Sequence, residues 1–457
     1  MPRRVLVATL VALLCAATQA TAAGGPWSVP VRLSGAMDAD VGDGVVTPQV
    51  AINASGAAVA VWTLDDGRRE IVQASSQAAA GATWSRPVAL GPPIAEGVEP
   101  RVQVALNDRG DAVAIWQGST AKGLNGTFSV NVAARTADGH WSAPATLSSG
   151  SADYSSPGVA LDATGDATAI WQWDSSSGTA GRWHVRAASR PAGGTWSAPA
   201  ELAPLTRSYG DPPLVAYDAV GDATALWSQP IENAKGGRGF AIASAVHAPG
   251  GAWSAPVAVG AAGRDFYTPK VQYAVDAGGD AIAVWESVSA RGQYEIVGAT
   301  RLGASGAWAP LPAPLSDPGR NAHDPQVAIA ASGTFAAAWR RSNGRHYVAQ
   351  ASTGPLAGGR PAPVTLSGAG LDENAVRVAV DAGGHAYAVW AARSHGGASG
   401  VRGAVGGAAW GASASIGTAQ DDGFDLAVGA GPAGRAIAVW LRSGRHRAYV
   451  ESAELRP

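Results

Sequence analysis

The chain has 457 residues, 46% hydrophobic and only 15% charged, with 60 Gly and 29 Pro. That composition supplies ample apolar material for a core and suits many short strands joined by turns. The formal net charge is −2 and no basic run or stripe occurs, so nucleic acid and anionic membranes are excluded as expected partners.

Met1 to Ala23 reads as a secretory signal. Arg3 and Arg4 form its charged start, Val5 to Ala17 its apolar run, and Ala20-Thr-Ala22-Ala23 a small-residue cleavage region. The apolar run is too short for a bilayer span, and no later stretch is long enough. The expected mature protein is therefore exported, secreted or periplasmic, with no membrane span. The only cysteine, Cys15, lies inside the signal, so no disulfide or thiol chemistry is expected after it.

From Gln49 onward one pattern returns eight times: Gly-x-Ala-x-Ala-x-Trp, sometimes loosened. It ends at Trp62, Trp116, Trp171, Trp227, Trp285, Trp339, Trp390 and Trp440. A fixed period of this size means a repeat architecture. The fifth unit shows the parts. Val271–Val275 reads as strand a, Asp276-Ala-Gly-Gly279 as a tight turn, and Ala281 to Trp285 as strand b. Glu295 to Ala299 reads as strand c, and Trp308 opens strand d. Alternate residues of a strand share a face, so Gly, Ala, Ala and Trp should line one side and let the next sheet approach closely. Strand d has its own signature, Trp-Ser-x-Pro-x-x-Leu, at Trp27, Trp84, Trp141, Trp196 and, with Val259 in the Leu place, Trp253. Pro is tolerated on an outer edge because no ladder bond is lost there.

One d signature, Trp27 to Leu33, precedes any a, b or c strand. The last unit stops after its c strand, near Tyr449 to Ala453. The chain is therefore expected to be all-β: a single eight-bladed β-propeller of four-stranded blades, with the N-terminal strand completing the last blade. The expected blades lie near 48–90, 100–147, 157–202, 212–259, 269–315, 325–366, 376–416 and 425–453.

Ser189-Arg-Pro-Ala-Gly193-Gly-Thr-Trp196-Ser197 resembles the Asp-box, or BNR repeat, of sialidase-like propellers. Pro191 stands in the Asp place of the box, and Ala79 and Ala248 stand there before Trp84 and Trp253. The resemblance implies a distant sialidase-like propeller. It carries over no catalytic residue, because the Arg-Ile-Pro motif of sialidases is absent.

In such a blade the a–b and c–d turns share one face and the b–c and d–a loops the other. The second set varies in length and carries much of the charge, and variable polar loops on a rigid scaffold are where binding lives. Glu99, Asp211 and Asp324 precede strands a and should rim the central channel. Tyr209, Tyr267 and His323 come from neighbouring d–a loops. Trp173 and Trp183, the two tryptophans outside the repeat, are expected in or beside the b–c loop of the third blade as a stacking platform. No metal-ligand spacing and no cofactor motif occurs. Asp38, Asp40 and Asp43 read as an acidic linker rather than a calcium loop. The expected function is monomeric binding of an extracellular glycan through this loop face. A sialidase-like glycoside hydrolase or lyase and a cell-envelope interaction scaffold are the alternatives.

Overall fold

A computed structural model describes residues 27–38, 48–65, 69–95, 101–120, 127–150, 157–174, 182–206, 211–232, 238–262, 269–357, 362–368, 372–393, 398–407, 409–420, 425–432, 434–443 and 447–455. The expected leader, with Cys15, and the acidic residues Asp40 and Asp43 lie outside these. Among the described residues every regular element is a strand. The strands form eight antiparallel blades, as the repeat count requires. In the fifth, Val271–Val275, Ala281–Val288, Tyr294–Arg301 and Ala309–Pro310 are strands a to d, adjacent in that order. The first blade adds a short strand, Ile94–Ala95, against its c strand Arg69–Gln77.

The a–b turns repeat one hydrogen-bond scheme. The Gly six places before each repeat Trp has φ between 73° and 95° in all eight blades, a region that only Gly enters freely. These glycines therefore close the turn, where Gly279 was expected, and only the Ala, Ala and Trp of the pattern lie on the b strand. In six blades the Asn or Asp opening the turn accepts, through Oδ1, the N–H of the residue after that Gly, at 2.7–3.0 Å. The residue after the Gly then reaches sideways. The Oδ1 atoms of Asp111, Asp166 and Asp280 accept from Ala137, Ala192 and Gly303 in the c–d turns of their own blades, at 3.1, 2.8 and 2.6 Å. This supplies from the a–b turn a carboxylate that the Asp-box-like segment lacks. The c–d turn itself closes through backbone, with Gly194 N donating to Pro191 O at 2.8 Å.

The Trp-Ser-x-Pro segments do not open strand d directly. In the second blade Trp141 makes a single bridge to Arg135, and the strand proper starts at Ala145. The Ser explains the signature. Ser142 N donates to Ala134 O at 2.7 Å, and Ser142 Oγ accepts from Ala134 N at 3.1 Å. Ser85, Ser197 and Ser254 do the same with Ser76, Ser189 and Val246. The hydroxyl continues the ladder across a segment where Pro prevents a regular strand.

Packing sits between blades. The buried apolar side chains fall into eight clusters, each drawn from two neighbouring blades and each holding one repeat Trp. A buried Trp removes roughly 150–250 Å² from water, worth about 4–6 kcal/mol as an upper bound. The Trp of one blade lies against the d strand of the blade before it, and Gly there makes room. A Cβ at Gly260 would stand 2.5 Å from Cζ2 of Trp285. Gly260→Ala is accordingly expected to destabilise the protein by about 1–3 kcal/mol through overpacking. An unchanged urea midpoint would show that this interface yields freely.

The ring closes as counted. Val31 and Arg32 pair with Ser452 and Glu451 of the last c strand, Arg447–Leu455, and Trp27 bridges to Leu455. Ser28 repeats the serine pattern with Glu454: N to O at 2.7 Å, and Glu454 N to Oγ at 2.9 Å. Inside the seam, buried Arg435 holds Glu454 at 2.7 Å and Gln77 Oε1 at 2.5 Å, and it also bonds Gly56 O. It thereby ties the eighth blade to the first.

Candidate functional site

The a strands line the central channel, and their register sets its chemistry. Gln49, Gln103, Gln272, Gln326 and Arg377 occupy one level. Each is paired with the residue just before its blade's repeat Trp. Gly158, Leu214 and Ala427 complete the level on the third, fourth and eighth blades. Nearer the mouth stand Arg101, Asp211, Lys270 and Asp324. Together they bound a cavity of about 300 Å³ opening on the b–c/d–a face. Its charged lining is mixed, three cations against two carboxylates, with four amides below them.

Asp211 is held by three bonds. Its N–H donates to Ser228 Oγ at 3.1 Å, its carbonyl accepts from Gln172 Nε2 at 3.0 Å, and its Oδ2 accepts from Val271 N at 2.9 Å. Burial in the channel pushes its pKa up to about 6. The Val271 N–H, Lys270 and Arg101 pull the other way, while Glu286 adds to the rise. This carboxyl therefore changes charge within the physiological range, where an ordinary Asp does not.

Asp324 sits on a kink. The pairing of strand a (Ala322–Ile329) shifts register between His323 and Gln326, and Asp324 has φ 55°. A non-Gly residue in that region is strained by about 1 kcal/mol or more. The seventh blade carries the same kink at Ala375, φ 50°. The strain is held by contacts. Asp324 N donates to Glu286 Oε1 at 2.7 Å, and Asp324 Oδ2 lies 2.5 Å from Arg340 Nε. Arg340 also covers the Tyr347 ring at 4.7 Å and donates to Asn374 Oδ1 at 3.3 Å. His323 stands 4.6 Å from the Tyr294 ring and 5.9 Å from that of Tyr347, with Glu286 Oε2 at 3.7 Å. The kink thus sends the aspartate toward the channel and the histidine into an aromatic cluster beside it.

Of the residues expected from sequence, Asp211 and Asp324 are brought to this mouth, and His323 stands beside it. Glu99, Tyr209 and Tyr267 lie outside the described residues. Trp173 and Trp183 are elsewhere and do not form the expected platform. They lie beside the b–c segment rather than in it: strand b of the third blade runs to Asp174 and strand c starts at Arg182, so both tryptophans are in the sheet. Trp183 is only 6% exposed and packs with Val185, Leu202 and Trp227. Burial against the fourth blade removes it as a stacking surface. The Trp173 ring is covered by the Arg186 guanidinium at 3.8 Å, with His184 at 5.5 Å. Sequence reasoning missed Arg101, Lys270, Arg377, Glu286 and the glutamines. Counting back thirteen places from each repeat Trp would have found the Gln level.

Among the described residues no group of three His, Cys, Asp or Glu is placed to hold a metal ion. No described helix is long and apolar enough to cross a membrane.

No protein-family model matches the chain. No curated protein matches it. Solved structures similar to it include a lectin from Burkholderia pseudomallei, at 13% identity, over 81% of this chain and 99% of that one, with a TM-score of 0.49. A Penicillium chrysogenum alpha-L-arabinanase complexed with arabinobiose aligns at 13% identity over 65% of this chain and 92% of its own, with a TM-score of 0.39. A Hadza microbial sialidase aligns at 12% identity over 83% and 73%, also at 0.39.

Proposed function

We propose that this chain is a secreted binding protein that takes the end of an extracellular glycan into the mouth of its central channel. The level of four glutamines beneath opposed charges carries the reading. Gln amides both donate and accept, carboxylates accept, and Arg and Lys donate, so the lining can meet a hydroxyl in either role. Mixed charge suits a polyhydroxylated ligand better than a simple ion, whose site would carry one sign. A volume of about 300 Å³ lies at the small end of ligand pockets and suits one sugar ring. The Tyr294 and Tyr347 rings beside His323 offer apolar faces at the edge. Export rests on the leader at Met1 to Ala23.

Calorimetric titration against a panel of oligosaccharides tests the reading. At least one should bind. Binding should weaken tenfold or more in Asp211→Asn, because an amide N–H replaces one carboxylate acceptor. Since ionised Asp211 accepts from hydroxyls, wild-type affinity should fall as pH drops through about 6, and that dependence should vanish in the variant. A panel with no binder removes the glycan.

One observation favours a second reading, glycoside hydrolysis. Asp211, with its pKa raised to about 6, feels the charge of Glu286, and a carboxyl of raised pKa beside a second carboxyl group is the pattern such enzymes use. Turnover of fluorogenic glycosides by the wild type, abolished in Asp211→Asn, would establish it.

A further inference from the structure

We propose that the groove between the first two blades is a second binding site, built for a neutral saccharide. This groove encloses about 660 Å³ and is lined by both blades well outside the central channel. Its apolar side is Pro92, Pro93, Ile94 and Pro144 around the rim of the Trp116 ring; its polar side is Ser119, Ser129, Asn131 and Thr146.

The polar side is built, and a glycine builds it. At the second place after the repeat Trp the other seven blades carry a side chain: Leu64, Trp173, Gln229, Ser287, Arg341, Ala392 and Arg442. The second blade alone carries Gly118. A Cβ there would stand 2.6 Å from Asn131 Nδ2 and 2.9 Å from Ser129 Oγ. Gly118 therefore lets the Asn131 amide lie flat across strand b (Ala112–Ser119) of that blade. In that position Asn131 is fixed from both ends. Thr146 Oγ1 donates to its Oδ1 at 2.9 Å, and its Nδ2 donates to Ser129 Oγ at 2.9 Å. The chain of three leaves the second Asn131 amide proton, the Ser129 hydroxyl proton and the Thr146 lone pairs for a ligand.

The lining selects the ligand class. Among the described residues that line the groove there is no carboxylate to pair with a cation, and Arg69 at one end is the single charge. A wholly apolar ligand would leave the hydroxyls and amide unpaired, which is unfavourable. An extended peptide would need a free strand edge. The c strand Phe128–Arg135 is paired on both sides, with strand b and with Ala145–Gly150. A sugar presents an apolar C–H face and a belt of hydroxyls, and so matches both sides. The volume lies within the range of about 300–1,000 Å³ usual for small-molecule pockets, with room for two rings. This site rests on residues separate from the channel and holds whether or not the channel takes a glycan.

Isothermal titration of the full chain with lactose, maltose and cellobiose tests it. At least one should bind in the wild type. Thr146→Val keeps the shape on an exposed strand and removes the hydroxyl; affinity should fall at least fivefold. Gly118→Leu, which copies the first blade, should abolish binding. Asp211→Asn, which disables the channel, should leave the groove affinity within twofold. Absence of binding by the wild type to all three sugars overturns the proposal. So does affinity that is lost in Asp211→Asn and kept in Thr146→Val, since that places the sugar in the channel.

Discussion

A chain lacking residues 27–33 is expected to lose most of its stability, with a large drop in thermal midpoint and a tendency to associate. The short segment seals two interfaces at once. Trp27, 7% exposed, packs with Tyr387, Ile416 and Trp440 between the seventh and eighth blades. Leu33, 4% exposed, packs with Trp62, Ile437 and Val450 between the eighth and first. Burial of one Trp and one Leu is worth together about 6–8 kcal/mol as an upper bound. That is comparable with the whole stability of a typical domain, about 5–15 kcal/mol. The ladder bonds of Ser28 and Leu33 to Glu454 and Val450 are lost as well, leaving Arg447–Leu455 as an open edge, which invites pairing between molecules. Scanning calorimetry measures the first effect and light scattering the second. A synthetic peptide spanning 24–36 should restore the midpoint when added in excess, because the seam is non-covalent. A truncated chain melting within about two degrees of the intact one would mean that the ring is held elsewhere.

The closure was legible because it depended on counting, and so did the blades. Eight Gly–Trp units and one displaced Trp-Ser-x-Pro signature specify the ring before any packing is known. What the count could not show is how neighbours meet. The placement of Gly260 against Trp285 depends on which blade a Trp faces, and that is a property of the assembled ring. The paired use of Ser142 N and Oγ depends on a bulged register that the Pro only hints at. The site was half legible for the same reason. Residues read as preceding strands a were recognisable as channel-facing, which brought in Asp211 and Asp324, although the strand of the sixth blade starts earlier than expected and holds His323 and Asp324 within it. Arg377 and the glutamines sit inside those strands, where alternation alone does not separate the channel face from the inter-blade face. Trp173 and Trp183 misled because aromatics beside a variable loop were read as a stacking platform. In the third blade strand b continues three residues past the repeat Trp, to Asp174.

Replacing Glu373 by Gln is expected to stabilise the protein at neutral and alkaline pH and to flatten its pH dependence. Glu373 lies on strand a of the seventh blade, Asp372–Val380, and is fully buried at 0% exposure. No donor meets its carboxyl at full hydrogen-bond geometry, and Ser367 and the Trp390 indole N–H beside it offset its burial only in part. Burial raises the pKa from 4.5 to about 8, against the pull of Arg402. The proton is thus held more tightly in the folded chain than in the unfolded one. Its contribution to stability is complete below about pH 4.5, declines as pH rises, and is gone above about 8. A shift of that size corresponds to a loss on the order of 5 kcal/mol across the window, at about 1.4 kcal/mol per unit. Gln has no proton to lose, and its amide can both accept from and donate to the neighbours of the carboxyl, Ser367 among them. Urea midpoints from pH 5 to 9 should therefore fall in the wild type and stay nearly level in Glu373→Gln, the two curves separating most at pH 9. Parallel curves would mean that Glu373 titrates normally and that water or a neighbouring donor reaches it. Arg402→Gln gives the opposite sign, because removing the nearby cation pushes the Glu373 pKa higher still and extends the decline to more alkaline pH.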